Sequence, residues 1–336
     1  MVAKPPRWSV VGHEWAVDLL AKGLDSGRLS HAYLFVGPPQ IGKTTLAASF
    51  AQALLCTGAP APCGECTACQ KVLRGSHPDL RMIQPGYGSE EPAAKAPKSL
   101  GIEAIRALQH EAALKPFEGL WKIFIIPDAQ LMTPPAQDGL LKTLEEPPSY
   151  VILLLTALDP SALLPTIVSR CQVFNLRPLS TERIREALID RWAMERERAE
   201  VLAALADGRM GIVVEAASDE ESVPARSEQL DELLTLARAS RAERLVQAES
   251  LARQEEIEKI LGLWASWWRD LLLVKAGVPQ AVQNIDRRSE LEKEARGYEL
   301  AEIEGALASL NRTLERLEKN VNPRLALEVL LLEMPF

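Results

Sequence analysis

The chain has 336 residues, of which 47% are hydrophobic and 25% charged, more than a single core usually organises, so two or three domains are expected. Its net charge of −8 excludes a broad basic surface that would bind nucleic acid by counterion release, so any such contact is local or shared with partners. No apolar run approaches the roughly 18–20 residues of a membrane span, and "MVAKPPRW" has no signal-peptide core, so a soluble cytoplasmic chain is expected.

Up to about residue 175 short apolar strands alternate with helical segments, the pattern of an α/β sheet covered on both faces. The first clear strand, "AYLFVG" (32–37), runs into "GPPQIGKTT" (37–45), and the helical "TLAASFAQALL" follows. This satisfies G-x-x-x-x-G-K-[ST] in the strand-loop-helix context that a phosphate-binding loop requires. Gly37 and Gly42 let backbone amides turn inward, Pro38, Pro39 and Thr45 complete the loop, Lys43 can reach the β/γ oxygens, and Thr44 can hold magnesium.

Next comes "CTGAPAPCGECTAC", with the spacing Cys56-x6-Cys63-x2-Cys66-x2-Cys69. Four thiolates this close suit a tetrahedral zinc site whose role is structural, because no coordination position is left for water. A redox-active C-x-x-C pair is the competing reading. Cys171 stands apart and reads as a small packed residue. Residues 86–99, "GYGSEEPAAKAPKS", read as a mobile surface loop.

A P-loop enzyme that hydrolyses its nucleotide also needs acids at the end of a neighbouring strand, to hold magnesium and to activate water. The strand "WKIFIIP" (121–127) offers only Asp128, with Pro127 before it and Ala129-Gln130 after. Nucleotide binding is therefore supported and turnover placed in doubt; the alternative is that the acid lies elsewhere. A third strand, "YVILLLTA" (150–157), is followed by "LLPTIVSRCQVF" (163–174), which carries Arg170 between Ser169 and Cys171.

After "FNLRPLS" (174–180) strands give way to helical spacing of Leu, Ala, Glu and Arg, interrupted by "ASDEESVPARS" (217–227). The last hundred residues read as an antiparallel bundle. Trp264, Trp267 and Trp268 fall near one helix face, and bundle core is favoured for them over a base-stacking platform.

Together these residues resemble the clamp-loader branch of the AAA+ ATPases, and within it the delta-prime class of bacterial DNA polymerase III subunit. The matching strings are "GRLSHAYLFVGPPQIGKTTLA", the four cysteines, "GSHPDL" (75–80), "EGLWKIFIIPDAQLM", "GLLKTLEEPPSYVILLLTA", "LLPTIVSRC" and "NPRLALEVLLL". The resemblance implies an AAA+ P-loop domain with a parallel sheet and inserted zinc module over 1–175, a small helical lid over 176–220 and a helical collar for oligomerisation over 221–336. It implies ATP or ADP, with or without Mg2+, and structural Zn2+ as ligands. The implied partners are gamma/tau and delta subunits, with the sliding clamp and primed DNA reached through the hetero-oligomer.

The gamma/tau motor shares the P-loop, the zinc module and Ser-Arg-Cys and is the nearest rival. His77-Pro78-Asp79 is typical of the delta-prime class, the motor carries Asp-Glu where this chain has Pro127-Asp128, and "DGRMGIVVEAA" (207–217) places Ile212 at the lid position of the sensor arginine. The chain also stops at the collar without a tau-like extension. Under the resemblance Arg170 is an arginine finger acting on a neighbouring subunit's γ-phosphate, with the chain's own ATPase weak or absent and Asp128 a weak substitute for the missing acids. Glu145 and Glu146 of "LEEPP" read as fold and interface residues, with contact to the nucleotide site as the lesser alternative. A third reading, an autonomous zinc-dependent DNA-binding protein, is disfavoured because no Lys/Arg cluster surrounds the cysteines.

Overall fold

Three fully buried strands organise the first half of the chain: β1 (Ala32–Val36), β3 (Lys122–Ile126) and β4 (Val151–Ala157). They are flanked by the short β2 (Leu80–Met82) and β5 (Gln172–Asn175), giving an all-parallel sheet in the order β2-β3-β4-β1-β5. The computed structural model describes residues 8–88, 99–218, 222–254, 256–319 and 321–335. Most of the 86–99 loop, part of the 217–227 break and the first seven residues lie outside them.

Two compact units are present, one running to Ala193 with Gly208–Gly211, the other comprising Met194–Asp207 and the chain from Ile212. In the first unit the sheet separates two cores, and alternate strand residues enter each, as the period of a β-strand demands. Leu34, Phe124 and Leu153 face one core with α4 (Ile102–Ala112) and α5 (Pro134–Glu145). Tyr33, Phe35, Ile123 and Ile152 face the other, with α1 (Glu14–Ser26) and α2 (Lys43–Leu55). Burial on both faces explains why these strands read as unbroken apolar runs. Each buried Leu, Ile or Phe contributes about 1.5–3 kcal/mol relative to exposure.

The same unit holds α3 (Thr67–Leu73), α6 (Pro165–Val168) and α7 (Thr181–Trp192). Proline at the first helical position suits α5 and α6, because that N–H has no intrahelical partner to lose. The α5 helix stops at Glu145, and the Pro147-Pro148 pair that follows cannot continue it.

The second unit is helical among the described residues: α8 (Arg196–Leu205), α9 (Met210–Ser218), whose first two residues belong to the first unit, α10 (Ser222–Ala237), α11 (Arg241–Leu251), α12 (Ile257–Lys275), α13 (Arg288–Glu294), α14 (Leu300–Glu318) and α15 (Pro323–Glu333). Ser240 with Glu243, and Glu299 with Glu302, form reciprocal caps that open α11 and α14. Trp264, Trp267 and Trp268 are buried with Leu310, Leu327 and Leu330, so the tryptophan stripe is bundle core. No helix among the described residues is long and apolar enough to cross a membrane.

Candidate nucleotide-binding site and metal centre

The loop from Gly37 to Gly42 leaves the buried end of β1 and turns into α2. Gly37 sits at φ 154° where a Cβ would lie 2.6 Å from the Leu176 carbonyl, and Gly42 at φ 101° forms the entry to α2. Neither position accepts a side chain without strain. Gln40 also adopts a left-handed backbone, at φ 59°, and its carbonyl accepts the Gly211 N–H at 2.7 Å. Pro39 and Gln40 are exposed and Pro38 half-buried along the loop, while Thr44 and Thr45 present exposed side chains on the first turn of α2.

Lys43 is buried, and its ammonium donates to the carbonyls of Gly37 and Pro38, each at 2.8 Å. Burial lowers its pKa, and the negative charge of Asp128 partly restores it. The sequence-predicted Lys43 and Asp128 are thus brought within electrostatic reach of each other. Asp128 follows β3 in a left-handed conformation (φ 47°, ψ 55°), its N–H donating to the Thr156 hydroxyl at 3.0 Å while Oδ1 accepts from Gln130 Nε2 at 3.2 Å.

Thr156 and His13 carry no motif signal, and both belong to this site. Thr156 is fully buried in β4. His13 precedes α1 with φ 58° and is 5% exposed, and its Nε2 lies 3.3 Å from the Ile41 carbonyl of the phosphate loop. Burial holds its pKa below the usual histidine range despite the Ile41 carbonyl and the neighbouring Glu14. The neutral ring therefore donates through Nε2 and ties the entry of α1 to the loop.

Arg170 is half-exposed just beyond α6 and does not bond the phosphate loop. Its guanidinium donates to Glu145 Oε1 at 2.9 Å and to the Thr166 carbonyl at 2.9 Å. Glu146, beside the pair, ends α5 as an exposed cap residue.

Cys56, Cys63, Cys66 and Cys69 converge with all four Sγ atoms within 4.8 Å of one another, and two of the pairs are 3.9 and 4.0 Å apart. A tetrahedron with Zn–S bonds near 2.3 Å has S···S edges of about 3.8 Å, so the donor set fits zinc. The sulfurs also accept backbone N–H groups: Gly58 and Cys63 donate to Cys56, Cys66 to Cys63, and Cys69 to Cys66, at 3.3–3.4 Å. At Cys66 burial acts against ionisation, but hydrogen bonds from Cys69 and Thr57 prevail and pull the thiol down to about 5. Gly58 is required because a Cβ there would lie 2.9 Å from Cys63 Sγ.

The His77-Pro78-Asp79 motif anchors a loop beside this module. The buried Asp79 carboxylate accepts three successive N–H groups, from Phe117 at 2.5 Å and from Glu118 and Gly119 at 2.9 Å. His77 Nδ1 accepts the Asp79 N–H at 3.1 Å, and its Nε2 lies 3.4 Å from Glu118, which also pairs with Lys71 at 2.7 Å.

Comparison with known proteins sets this geometry in a family. The family described as "DNA polymerase III, delta subunit" matches residues 12–180, and its C-terminal counterpart matches 220–335. The chain belongs to the DNA polymerase III delta-subunit family. DNA polymerase III subunit tau/gamma of Haemophilus influenzae is 40% identical over 181 residues, which is 53% of this chain and 25% of that protein. DNA polymerase III subunit delta' of Bacillus subtilis is 37% identical over 175 residues, 52% of this chain and 50% of that one. The matches thus span a quarter to a half of these curated relatives, and identity alone does not separate the two kinds of subunit. A solved gamma-subunit-related protein from Thermotoga maritima aligns over 94% of this chain and 97% of its own at 17% identity, with a TM-score of 0.49.

Proposed function

We propose that this chain is the delta-prime member of a DNA polymerase III clamp loader, a subunit that binds nucleotide, closes one end of the ring and acts on the ATP of a neighbouring gamma/tau subunit. The observation that carries the reading is an intact phosphate loop beside a β3 terminus with one acid, Asp128, following Pro127. Proline can neither hold magnesium nor activate water, so the machinery for binding is more complete than that for turnover.

In this reading Gly37, Pro38, Pro39, Gly42, Lys43, Thr44 and Thr45 cradle ATP or ADP, and Lys43 exchanges its carbonyl partners for phosphate oxygens. Asp128 is a weak substitute for the missing acid pair, whether or not Mg2+ is present. Arg170 serves in trans as the arginine finger, an effect on the order of 10³–10⁵ in rate at the site it completes. Zn2+ on the four cysteines is structural. The segment 176–220 serves as lid and 221–336 as the collar that joins gamma/tau and delta, and the sliding clamp and primed DNA are met through the complex in the cytoplasm.

The test is DNA- and clamp-stimulated ATP turnover by the reconstituted loader with Arg170→Ala or Lys43→Ala in this subunit. A strong loss with Arg170→Ala and little with Lys43→Ala is expected. A full site's loss with Lys43→Ala would instead identify a gamma/tau-type motor, a subunit to which the shared region is about as similar as it is to delta'.

A further inference from the structure

We infer that Glu145 is a positioning residue for Arg170, holding the guanidinium edge-on so that its free N–H groups face a neighbouring subunit's phosphate. This rests on the trans role of Arg170 proposed above.

Glu145 is the last residue of α5. A carboxylate there opposes the helix dipole, which favours cations at the C-terminus, so the residue does not serve its own helix. Its pair with Arg170 is half-exposed, with side-chain exposures of 52% and 35%, and such pairs add little to stability. What the pair does provide is direction.

A guanidinium has five N–H donors in a fixed plane. Glu145 Oε1 takes one from NH2 and the Thr166 carbonyl one from NH1. Three donors remain, enough for two-point contact with a phosphate without releasing either anchor.

Both anchors sit on fixed backbone. On one side the Pro147-Pro148 pair fixes the exit of α5. On the other, α6 is tied back to α5 at its entry, where the Leu164 N–H donates to Gln137 Oε1 at 2.9 Å, and Ile167 is fully buried. The Arg170 N–H itself donates to the Ile167 carbonyl at 3.1 Å. Among the described residues, Glu145 thus supplies the one anchor that comes from outside the finger's own segment.

The experiment is ATP turnover by the complete reconstituted loader carrying Glu145→Ala, Glu145→Gln or Arg170→Ala in this subunit, and Glu145→Ala combined with Arg170→Ala. Misplacing a positioned group costs on the order of 10²-fold at the site it serves. The expected result is that Glu145→Ala lowers kcat severalfold at unchanged KM, that Glu145→Gln, which keeps the Oε1 acceptor, restores most of it, and that Glu145→Ala has no further effect when Arg170 is already alanine. A Glu145→Ala loader with unchanged turnover, one with raised turnover, or an equal loss in the Arg170→Ala background would each overturn the inference while leaving the finger standing. An Arg170→Ala loader with undiminished turnover would overturn the underlying reading as well.

Discussion

The Asp128 N–H donates to the buried Thr156 hydroxyl at 3.0 Å, joining the end of β3 to β4 beside the phosphate loop. The bond accompanies a left-handed backbone at Asp128, a conformation uncommon for non-glycine residues though more accessible to aspartate than to most. Thr156→Val keeps the shape and removes the acceptor, leaving an N–H without its partner. The expected cost is about 1–3 kcal/mol by chemical denaturation. ADP affinity, measured by calorimetry, should fall too, because Asp128 loses its fixed position near Lys43. Unchanged affinity would show that Asp128 is not part of the nucleotide site.

Metal analysis of the purified protein should give close to one zinc per chain. A thiol reagent should then find little to attack, because bound zinc would ligate the four clustered sulfurs and burial pushes the Cys171 thiol up to about 12. Chelation should expose four reactive thiols and lower Tm, since the module is tied to the core through the bond from Gln52 to the Cys69 carbonyl at 3.3 Å. Rapid reaction before chelation, or reversible disulfide formation with a thiol buffer, would support the redox reading instead.

Two buried histidines predict how the first unit responds to acid. Burial lowers the pKa of both His13 and His77 below 6.5. The native state therefore prefers them neutral, and the stability they contribute is fully present above the unfolded value and lost as pH falls through the lowered folded values. A structural reason is visible at His77, whose Nδ1 accepts the Asp79 N–H and cannot do so once protonated. At Asp79 burial raises the pKa, but three N–H donors outweigh it, so its contribution persists above 3.8 and is lost only as pH falls below that. Tm should fall between about pH 7 and 5, and His77→Gln should flatten that slope. A slope unchanged by His77→Gln would assign the effect elsewhere.

What could be read from the sequence follows from how local each feature is. β1, β3 and β4 were legible because burial on both faces leaves continuous apolar runs. β2 and β5 lie at the sheet edges, have only three and four residues and are partly exposed, so they left no such run. The four cysteines that could hold a metal ion fall within one short segment, and spacing alone announces them. Thr156 is an ordinary strand residue until the backbone of Asp128 gives its hydroxyl a partner, and Glu145 meets Arg170 across 25 positions of chain. Hydrogen bonds made between elements leave no period in the sequence.

Arg244 sets the last prediction, in the second unit. It is 1% exposed, and its guanidinium donates to the carbonyls of Ala237 and Ala239 at the end of α10 and of Leu331 and Met334 at the end of α15, at 2.9–3.2 Å. The last carbonyls of a helix have no intrahelical partners, and a cation there also suits the dipole. One side chain therefore closes two helices that are distant in sequence. Arg244→Met fills much of the volume but leaves several carbonyls unsatisfied, and should destabilise this unit by at least about 3 kcal/mol. Arg244→Lys should recover only part of the loss, because a single ammonium cannot span the fork that reaches both helix ends. Urea denaturation followed by tryptophan fluorescence reads this directly, since Trp264, Trp267 and Trp268 are buried in the same core. Full recovery by lysine would mean that charge alone, and not the planar fork, joins α10 to α15.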